Sequence, residues 1–363
     1  MNERLKKEII RLTAQLIAFR STADNPSELA ACAYFIAKWF AGLPVRVLRF
    51  HSRGVPSIVV LPQGVTKPRV FLNGHFDVVA GETSQFRMRR AAGRLIGRGT
   101  IDMKAQVAVM MVLMRELTLR GQRDVGLMLV GDEELGGING TKYLLSRGQR
   151  SAFVIAGEPS DLRIASEAKG ILNLELTARG RSAHTARPYQ GINAIDLLAQ
   201  ALVRISRALP IPSKRRNASV TTCVATTIQG GMASNQVPVQ ARSTLNIRYA
   251  PADRPQALEK NIAKLAGRGI AVKRLSVDPA AHCDPANPYL LKLARSITTV
   301  TRRPAAVVRK AAGSDIRHFT QAGIPGVVFG PSGGGSAHSA KEWIGVSSLV
   351  TFYEVLEKFV TSL

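Results

Sequence analysis

Apolar positions along the chain switch between two periods. Residues 1–20 and 27–42 space Leu, Ile and Phe three and four apart, which predicts amphipathic helices. Val45–Phe50, Ser57–Leu61 and Arg69–Val79 are short apolar stretches of the kind that form strands. Lys104–Leu119 returns to helical spacing, Val125–Val130 reads as a buried strand, Gly140–Arg147 as a helix and Phe153–Ala156 as another strand. Strands alternating with helices predict a sheet covered on both faces. Near Lys169–Gly170 the order changes to strand Ile171–Arg179, helix Ile192–Leu209, strand Ser219–Gln229, strand Val239–Tyr249, helix Arg254–Ala266 and strand Ile270–Val277. That β-α-β-β-α-β order is ferredoxin-like. From about Asn287 the first texture returns, with helices over 289–301, 314–321 and 346–361 and strands over 305–309 and 326–329. The pattern describes an α/β domain (1–169 and 284–363) interrupted by a smaller inserted domain (170–283).

Length agrees, because 363 residues exceed one ordinary core. Apolar residues make up 45%, enough for a real core and too many for a disordered chain. The longest apolar run, Val107–Met114, falls far short of the roughly 20 residues a membrane span needs. The N-terminal segment interleaves charge with Ile and Leu and has no signal-peptide pattern. Cys32, Cys223 and Cys283 are odd in number and lack metal-site spacing, so a reduced, cytoplasmic protein is expected. The formal charge is +25, from 50 Lys+Arg against 25 Asp+Glu, which implies either an anionic partner or a generally basic surface. Aromatic residues are only 6%, which weakens the case for nucleic acid. The insert is the more basic part: Gly170 to Ala281 carries 16 Lys+Arg and 5 Asp+Glu.

Where acidic residues are scarce, their clusters matter. Asn73-Gly74-His75-Phe76-Asp77 closes a strand, and if strand geometry persists His75 and Asp77 share a face. A carboxylate so placed can hold one imidazole nitrogen and leave the other for a metal, although an isolated His-x-Asp also suits a surface pair. Gly97-Arg98-Gly99-Thr100-Ile101-Asp102-Met103-Lys104 precedes a helix, where Asp102 also suits an N-cap. Gly131-Asp132-Glu133-Glu134 sets three carboxylates together after a buried strand, a run that repels itself unless cations neutralise it. Gly157-Glu158-Pro159-Ser160 and Gly335-Ser336-Ala337-His338 also follow strands, where open α/β sheets place ligands. A mixed His/carboxylate set suits Zn²⁺, Mn²⁺ or Co²⁺. Five ligands (His75, Asp102, Glu134, Glu158, His338) are one more than a tetrahedral zinc takes, and two metals sharing one carboxylate fit the count better.

These segments resemble the M20 family of co-catalytic metallopeptidases and deacylases, which includes acetylornithine deacetylase, succinyl-diaminopimelate desuccinylase, aminoacylase-1 and glutamate carboxypeptidase. GHFDVV, GRGTIDMK, GDEELGG, AGEPSD, GRSAHTARPYQGINAI, GGMASNQVP and AHSAKE occur in the family's order over about residues 70–345. The resemblance implies a mixed-sheet α/β/α catalytic domain and a ferredoxin-like lid and dimerisation domain. It implies two divalent ions, zinc first and cobalt or manganese as alternatives. His75 and Glu158 would hold one metal, Glu134 and His338 the other, and Asp102 would bridge them. Asp77 would orient His75, and Glu133 would be general base and then acid. His184 would reach the partner subunit's site and stabilise the oxyanion, and Asn235 and Arg248 would grip a substrate carboxylate. A cis peptide would follow Asp102. Gly313-Ser314-Asp315 matches a pocket-lining loop, or else supplies a plain N-cap at Asp315. The chain departs from the family at Gln85-Phe86-Arg87-Met88-Arg89-Arg90, which lacks the usual Trp and Pro-Phe pair, and at Ala105, where Gly is usual.

The implied reaction is hydrolysis of an N-acyl amino acid by a metal-bridging hydroxide. A carboxypeptidase releasing a C-terminal residue from a peptide is the alternative, since both cleave an amide beside a free carboxylate. The basic insert would suit an anionic substrate, free or borne on an acidic carrier protein. A homodimer is implied, and neither nucleic acid nor a membrane is expected as partner.

Overall fold

The computed structural model describes residues 1–212, 220–310, 313–335 and 337–363. Ser219, the expected start of a strand, and Ser336 of the last motif lie outside the described residues. The chain divides into two compact units: Met1–Ser166, His282–Val308 and Ser314–Leu363 form one, Glu167–Ala281 and Arg309–Gly313 the other.

The first unit is built on a mixed sheet. Its strands run in the order Val45–Ser52, Val55–Pro62, Val125–Val130, Val70–His75, Phe153–Ala156 and Gly326–Val328. The first three pair antiparallel, while Val125–Val130, Val70–His75, Phe153–Ala156 and Gly326–Val328 pair parallel. The parallel strands are buried throughout, so their sequences are continuously apolar instead of alternating. Val70, Leu72, Leu127, Leu129, Phe153 and Ile155 share one core with helices Glu3–Ala18, Pro26–Trp39, Lys104–Leu119, Pro288–Thr301 and Val346–Val360. The intervening Phe71, Met128 and Val154 are buried on the opposite face, where Ile316–Gln321 packs on the strands and on Thr141–Ser146. Helix Lys104–Leu119 is apolar nearly all round because it is enclosed: Lys104 through Met114 are all buried.

The second unit joins Gly170–Arg179, Ala194–Ala208, Thr222–Gly230, Gln240–Tyr249, Pro255–Ala266 and Ile270–Asp278. Its sheet is antiparallel, with Gln240–Tyr249 and Gly170–Arg179 central and Thr222–Gly230 and Ile270–Asp278 at the edges. This is the ferredoxin-like arrangement. Alternate residues Leu172, Leu174, Leu176 and Ala178 meet Leu198, Ala201 and Ile205 of the first helix in one core.

Some expectations need correction. The strand expected over Arg69–Val79 ends at His75, where the chain turns into the site. Ile164–Ala168 is a strand that alternation alone did not reveal. Arg89–Ala91 and Arg94–Ile96 form a hairpin that pairs with Trp343–Gly345 and begins at the end of the stretch that departs from the family pattern. Arg309–Gly313 groups with the second unit, where Arg309 Nε donates to Glu167 at 2.6 Å.

Candidate metal centre

Parallel pairing puts the carboxyl ends of four neighbouring strands on one edge, and the loops leaving that edge carry the candidate ligands. His75 is the last residue of its strand, Glu133 and Glu134 follow Val125–Val130, and Glu158 follows Phe153–Ala156. Gly74 and Gly157 stand one position before His75 and Glu158, and a Cβ on either would lie 2.9 Å from the end of the Met103 side chain, which would have to shift aside. Met103 follows Asp102 across a cis peptide bond, as the resemblance implies.

Asp102 is the hub. Its Oδ1 lies 3.0 Å from His75 Nε2, and its Oδ2 lies 3.5 Å from His338 Nε2. Glu158 Oε1 approaches His75 Nε2 at 3.5 Å, and Glu134 Oε2 approaches His338 Nε2 at 3.1 Å. Two clusters result, His75–Asp102–Glu158 and Asp102–Glu134–His338, each with its ligand atoms within 4.8 Å of one another. The two oxygens of Asp102 face different clusters. The N-cap alternative fails, because Met103 occupies the cap position of helix Lys104–Leu119 and Asp102 makes no cap bond.

His75 is fully enclosed, and its Nδ1 reaches the Asp77 carbonyl oxygen at 3.0 Å and Asp77 Oδ1 at 3.4 Å. With Nδ1 as donor, Nε2 keeps a lone pair aimed at the centre. Asp77 has a second task that the sequence did not disclose. Its carboxylate accepts the backbone N–H of Glu133 at 3.3 Å and of Glu134 at 3.0 Å, fixing the loop that carries both.

Crowding of carboxylates shapes the electrostatics. Burial, and then the charge of Glu158, push Glu133 well above the ordinary carboxylate range. Burial raises Glu134 to about 7 and Asp132 to about 7. Burial opposes ionisation of Asp102 too, but hydrogen bonds from His338 and His75 outweigh it and hold Asp102 below its usual range. His338 is raised to about 8, first by its hydrogen bond to Asp102. For His75, burial favours the neutral ring, yet Asp102, Asp77 and Glu158 together raise it well above its ordinary value. Glu134 Oε1 is buried without a hydrogen-bond partner among the described residues. An orphaned, enclosed carboxylate oxygen in a self-repelling acidic cluster is what a bound cation relieves. The donor set therefore fits a pair of borderline divalent ions.

The remaining candidates lie in the second unit. His184 and Asn235 are drawn together, because Thr185 N donates to Asn235 O at 3.1 Å and Val237 N to Ala183 O at 2.8 Å. The backbone N–H of Ala186 donates to His184 Nδ1 at 3.1 Å, which leaves the neutral ring's proton on Nε2. Arg248 is not part of that pair. It lies near the far end of strand Gln240–Tyr249, roughly 25 Å along at the ordinary strand rise, with Nε donating to Asn246 Oδ1 at 3.1 Å. Asp315 makes no N-cap bond; its Oδ2 accepts from Thr141 Oγ1 at 2.6 Å instead.

Sequence reasoning assigned no role to Arg98 or Glu342. They form a buried ion pair at 2.7 Å beneath the His338 loop. Both sit inside the motifs GRGTIDMK and AHSAKE, but each motif carries other charged residues, and nothing in either signals a pairing across 244 positions.

Residues 71–362 match the profile of peptidase family M20/M25/M40. Succinyl-diaminopimelate desuccinylase of Methylobacterium sp. (strain 4-46) is 30% identical over 362 residues, covering 91% of this chain and 90% of that one. A protein of Talaromyces marneffei named as a probable carboxypeptidase is 31% identical over 271 residues, covering 67% of this chain and 60% of its own length. The crystal structure of a dinuclear metal-binding peptidase of the M20 family from Bacillus subtilis superposes with a TM-score of 0.76 over 99% of each chain at 13% identity. The chain belongs to the M20 family, whose members are metal-dependent hydrolases of amide bonds.

Proposed function

We propose that the protein hydrolyses the amide bond of an N-acyl amino acid, as a deacylase of the desuccinylase and deacetylase kind, with two divalent ions, zinc first. The observation that carries this reading is Asp102, whose two oxygens face two separate His–carboxylate clusters beside the recessed Glu133. His75, Asp102 and Glu158 would hold one ion, and Asp102, Glu134 and His338 the other. When bound, such a pair supplies Lewis-acid polarisation of the carbonyl and a water acidic enough to ionise near neutral pH.

Glu133 takes the proton of the attacking water and returns it to the leaving amine. Burial raises this carboxyl above the ordinary carboxylate range, the direction that favours a group that must take a proton and hand it back. Asp77 keeps Glu133 in reach by holding its backbone amide. His184 Nε2–H donates to the carbonyl oxygen as negative charge builds there. In the homodimer that the resemblance supports, Arg248 and the partner subunit's Asn235 would bind the substrate carboxylate, since within one chain Arg248 lies near the far end of strand Gln240–Tyr249 from Asn235. The desuccinylase relative, matched over nine-tenths of the chain, favours an acyl group that is itself anionic, and amino-acid biosynthesis as the setting. The resemblance also supports a homodimer; presentation of the amino acid on an acidic carrier protein is the more remote variant of the same reading. Release of a C-terminal residue from a peptide is the second reading, favoured by the carboxypeptidase-named relative.

The test is hydrolysis of matched N-succinyl, N-acetyl and dipeptide substrates by the metal-loaded protein. The deacylase reading expects kcat/KM highest on an N-acyl amino acid; a dipeptide preferred over both acyl compounds replaces it with the second reading. Glu133→Gln keeps both metals and lowers kcat about 10²–10⁴-fold. Undiminished turnover by that variant removes Glu133 from the mechanism.

A further inference from the structure

We propose that the buried Arg98–Glu342 pair is a positioning clamp that holds His338 against Asp102 and Glu134, and so sets chiefly the affinity of the metal half-site that His338 completes. The inference rests on the metal-pair reading above and adds a division of labour within it.

Arg98 is 3% exposed and Glu342 1% exposed, and Arg98 Nη1 meets Glu342 Oε2 at 2.7 Å. The clamp ties three segments together. Arg98 Nη2 donates to the carbonyl oxygen of His338 at 3.3 Å and to that of Ala80, in the loop beyond Asp77, at 3.1 Å. Arg98 Nη1 also reaches the carbonyl of Ser339 at 3.4 Å. Glu342 Oε1 accepts the backbone N–H of Gly99 and, at 3.1 Å, of Thr100, in the loop that ends in Asp102. One guanidinium and one carboxylate thereby join the backbones that present Asp102 and His338.

His338 needs such support. Its side chain is 50% exposed, its φ is +69°, and it stands in a glycine-rich loop. Its ring meets two carboxylates, Asp102 and Glu134, which are themselves candidate ligands. Elsewhere the loop is held by a Gln85 side-chain bond to Ser339 O at 3.3 Å and by bonds of the Ser339 hydroxyl within the loop. By contrast His75 and Glu158 are 1% and 8% exposed and project from strand ends without touching the clamp. Removing one member of a buried charge pair leaves the other uncompensated, so the loop must move or take in water. That motion falls on His338 and spares His75 and Glu158.

The experiment is stepwise Co²⁺ titration of the metal-free full chain, followed by calorimetry and by visible absorption of bound Co²⁺. The wild-type chain takes up two equivalents. Arg98→Lys keeps the charge opposite Glu342 but loses the fork that reaches His338 O. It is expected to bind the first equivalent as wild type and the second about 10–100-fold more weakly, the range of losses seen when the outer supports of metal ligands are removed. The double variant Arg98→Met/Glu342→Met leaves no uncompensated charge but also frees the loop of the shared ligand Asp102, so it is expected to weaken the second equivalent more than the first, with thermal unfolding showing that it is folded. Equal weakening of both equivalents, or none, in either folded variant overturns the clamp. A wild-type chain that binds fewer than two equivalents overturns the metal-pair reading itself, and the clamp with it.

Discussion

At the scale of single residues, the site is an arrangement of charges in conflict. Burial raises Glu134 to about 7 and raises Glu133 as well, so the metal-free folded state holds protons that the unfolded chain releases near its ordinary carboxylate value of 4.5. Stability from these groups falls as pH rises from about 4.5 to about 7. His338, raised from 6.5 to about 8, acts in the same direction: its contribution is complete below 6.5 and is lost as pH rises through 8. The Tm of the metal-free protein is therefore expected to decline between about pH 5 and pH 8 and to recover on adding Zn²⁺ at pH 8. A Tm that rises with pH over that interval contradicts the assigned crowding. The types of these residues were legible in the sequence, because scarce acidic side chains fell just after predicted strands. No spacing rule pairs them: His75 and Asp102 are 27 positions apart and Arg98 and Glu342 are 244 apart. The family resemblance implied the first pairing, and nothing in the sequence implied the second.

At the scale of elements, strand ends do the placing and glycine sets the tolerances. Gly330, just past strand Gly326–Val328, shows this. A Cβ there would lie 2.3 Å from Glu158 O and 2.6 Å from Gly157 O, both backbone atoms that cannot swing aside. Gly330→Ala is expected to displace Glu158, weaken the His75 half-site in a Co²⁺ titration and lower stability by about 1–3 kcal/mol. It should spare the His338 half-site, which is the reverse of the expectation for Arg98→Lys. Equal Co²⁺ affinities in Gly330→Ala and wild type would show that the strand end yields more readily than its contacts imply. Elements with strong periodicity, such as Lys104–Leu119 and Val125–Val130, were legible to within a residue or so. The short hairpin Arg89–Ala91 and Arg94–Ile96 was not, because three-residue strands carry no readable period and owe their existence to pairing with distant Trp343–Gly345.

At the scale of the whole molecule, the charge of +25 acquires an address. Five of the 25 acidic residues (Asp77, Asp102, Glu133, Glu134, Glu158) gather at the candidate metal centre, where cations would offset them. The insert holds the more concentrated positive charge. Steering by such a field is screened within about 8–10 Å at physiological ionic strength. For an N-succinyl substrate, kcat/KM is expected to fall several-fold from 20 to 300 mM salt, with kcat nearly constant and a smaller fall for the N-acetyl analogue. Equal salt dependence for both substrates would assign the charge to general surface basicity.

The sequence by itself determined the two interleaved textures, the insert, the family and the inventory of candidate His and carboxylate ligands, because each is written in local periodicity or in short motifs a few residues long. Only the tertiary structure decided that the two oxygens of Asp102 face different histidines, that Asp77 grips the loop of Glu133, and that Arg98 and Glu342 join the His338 loop to the Asp102 loop. Those relations exist between segments that only chain closure brings together, and a one-dimensional pattern carries no distance between them.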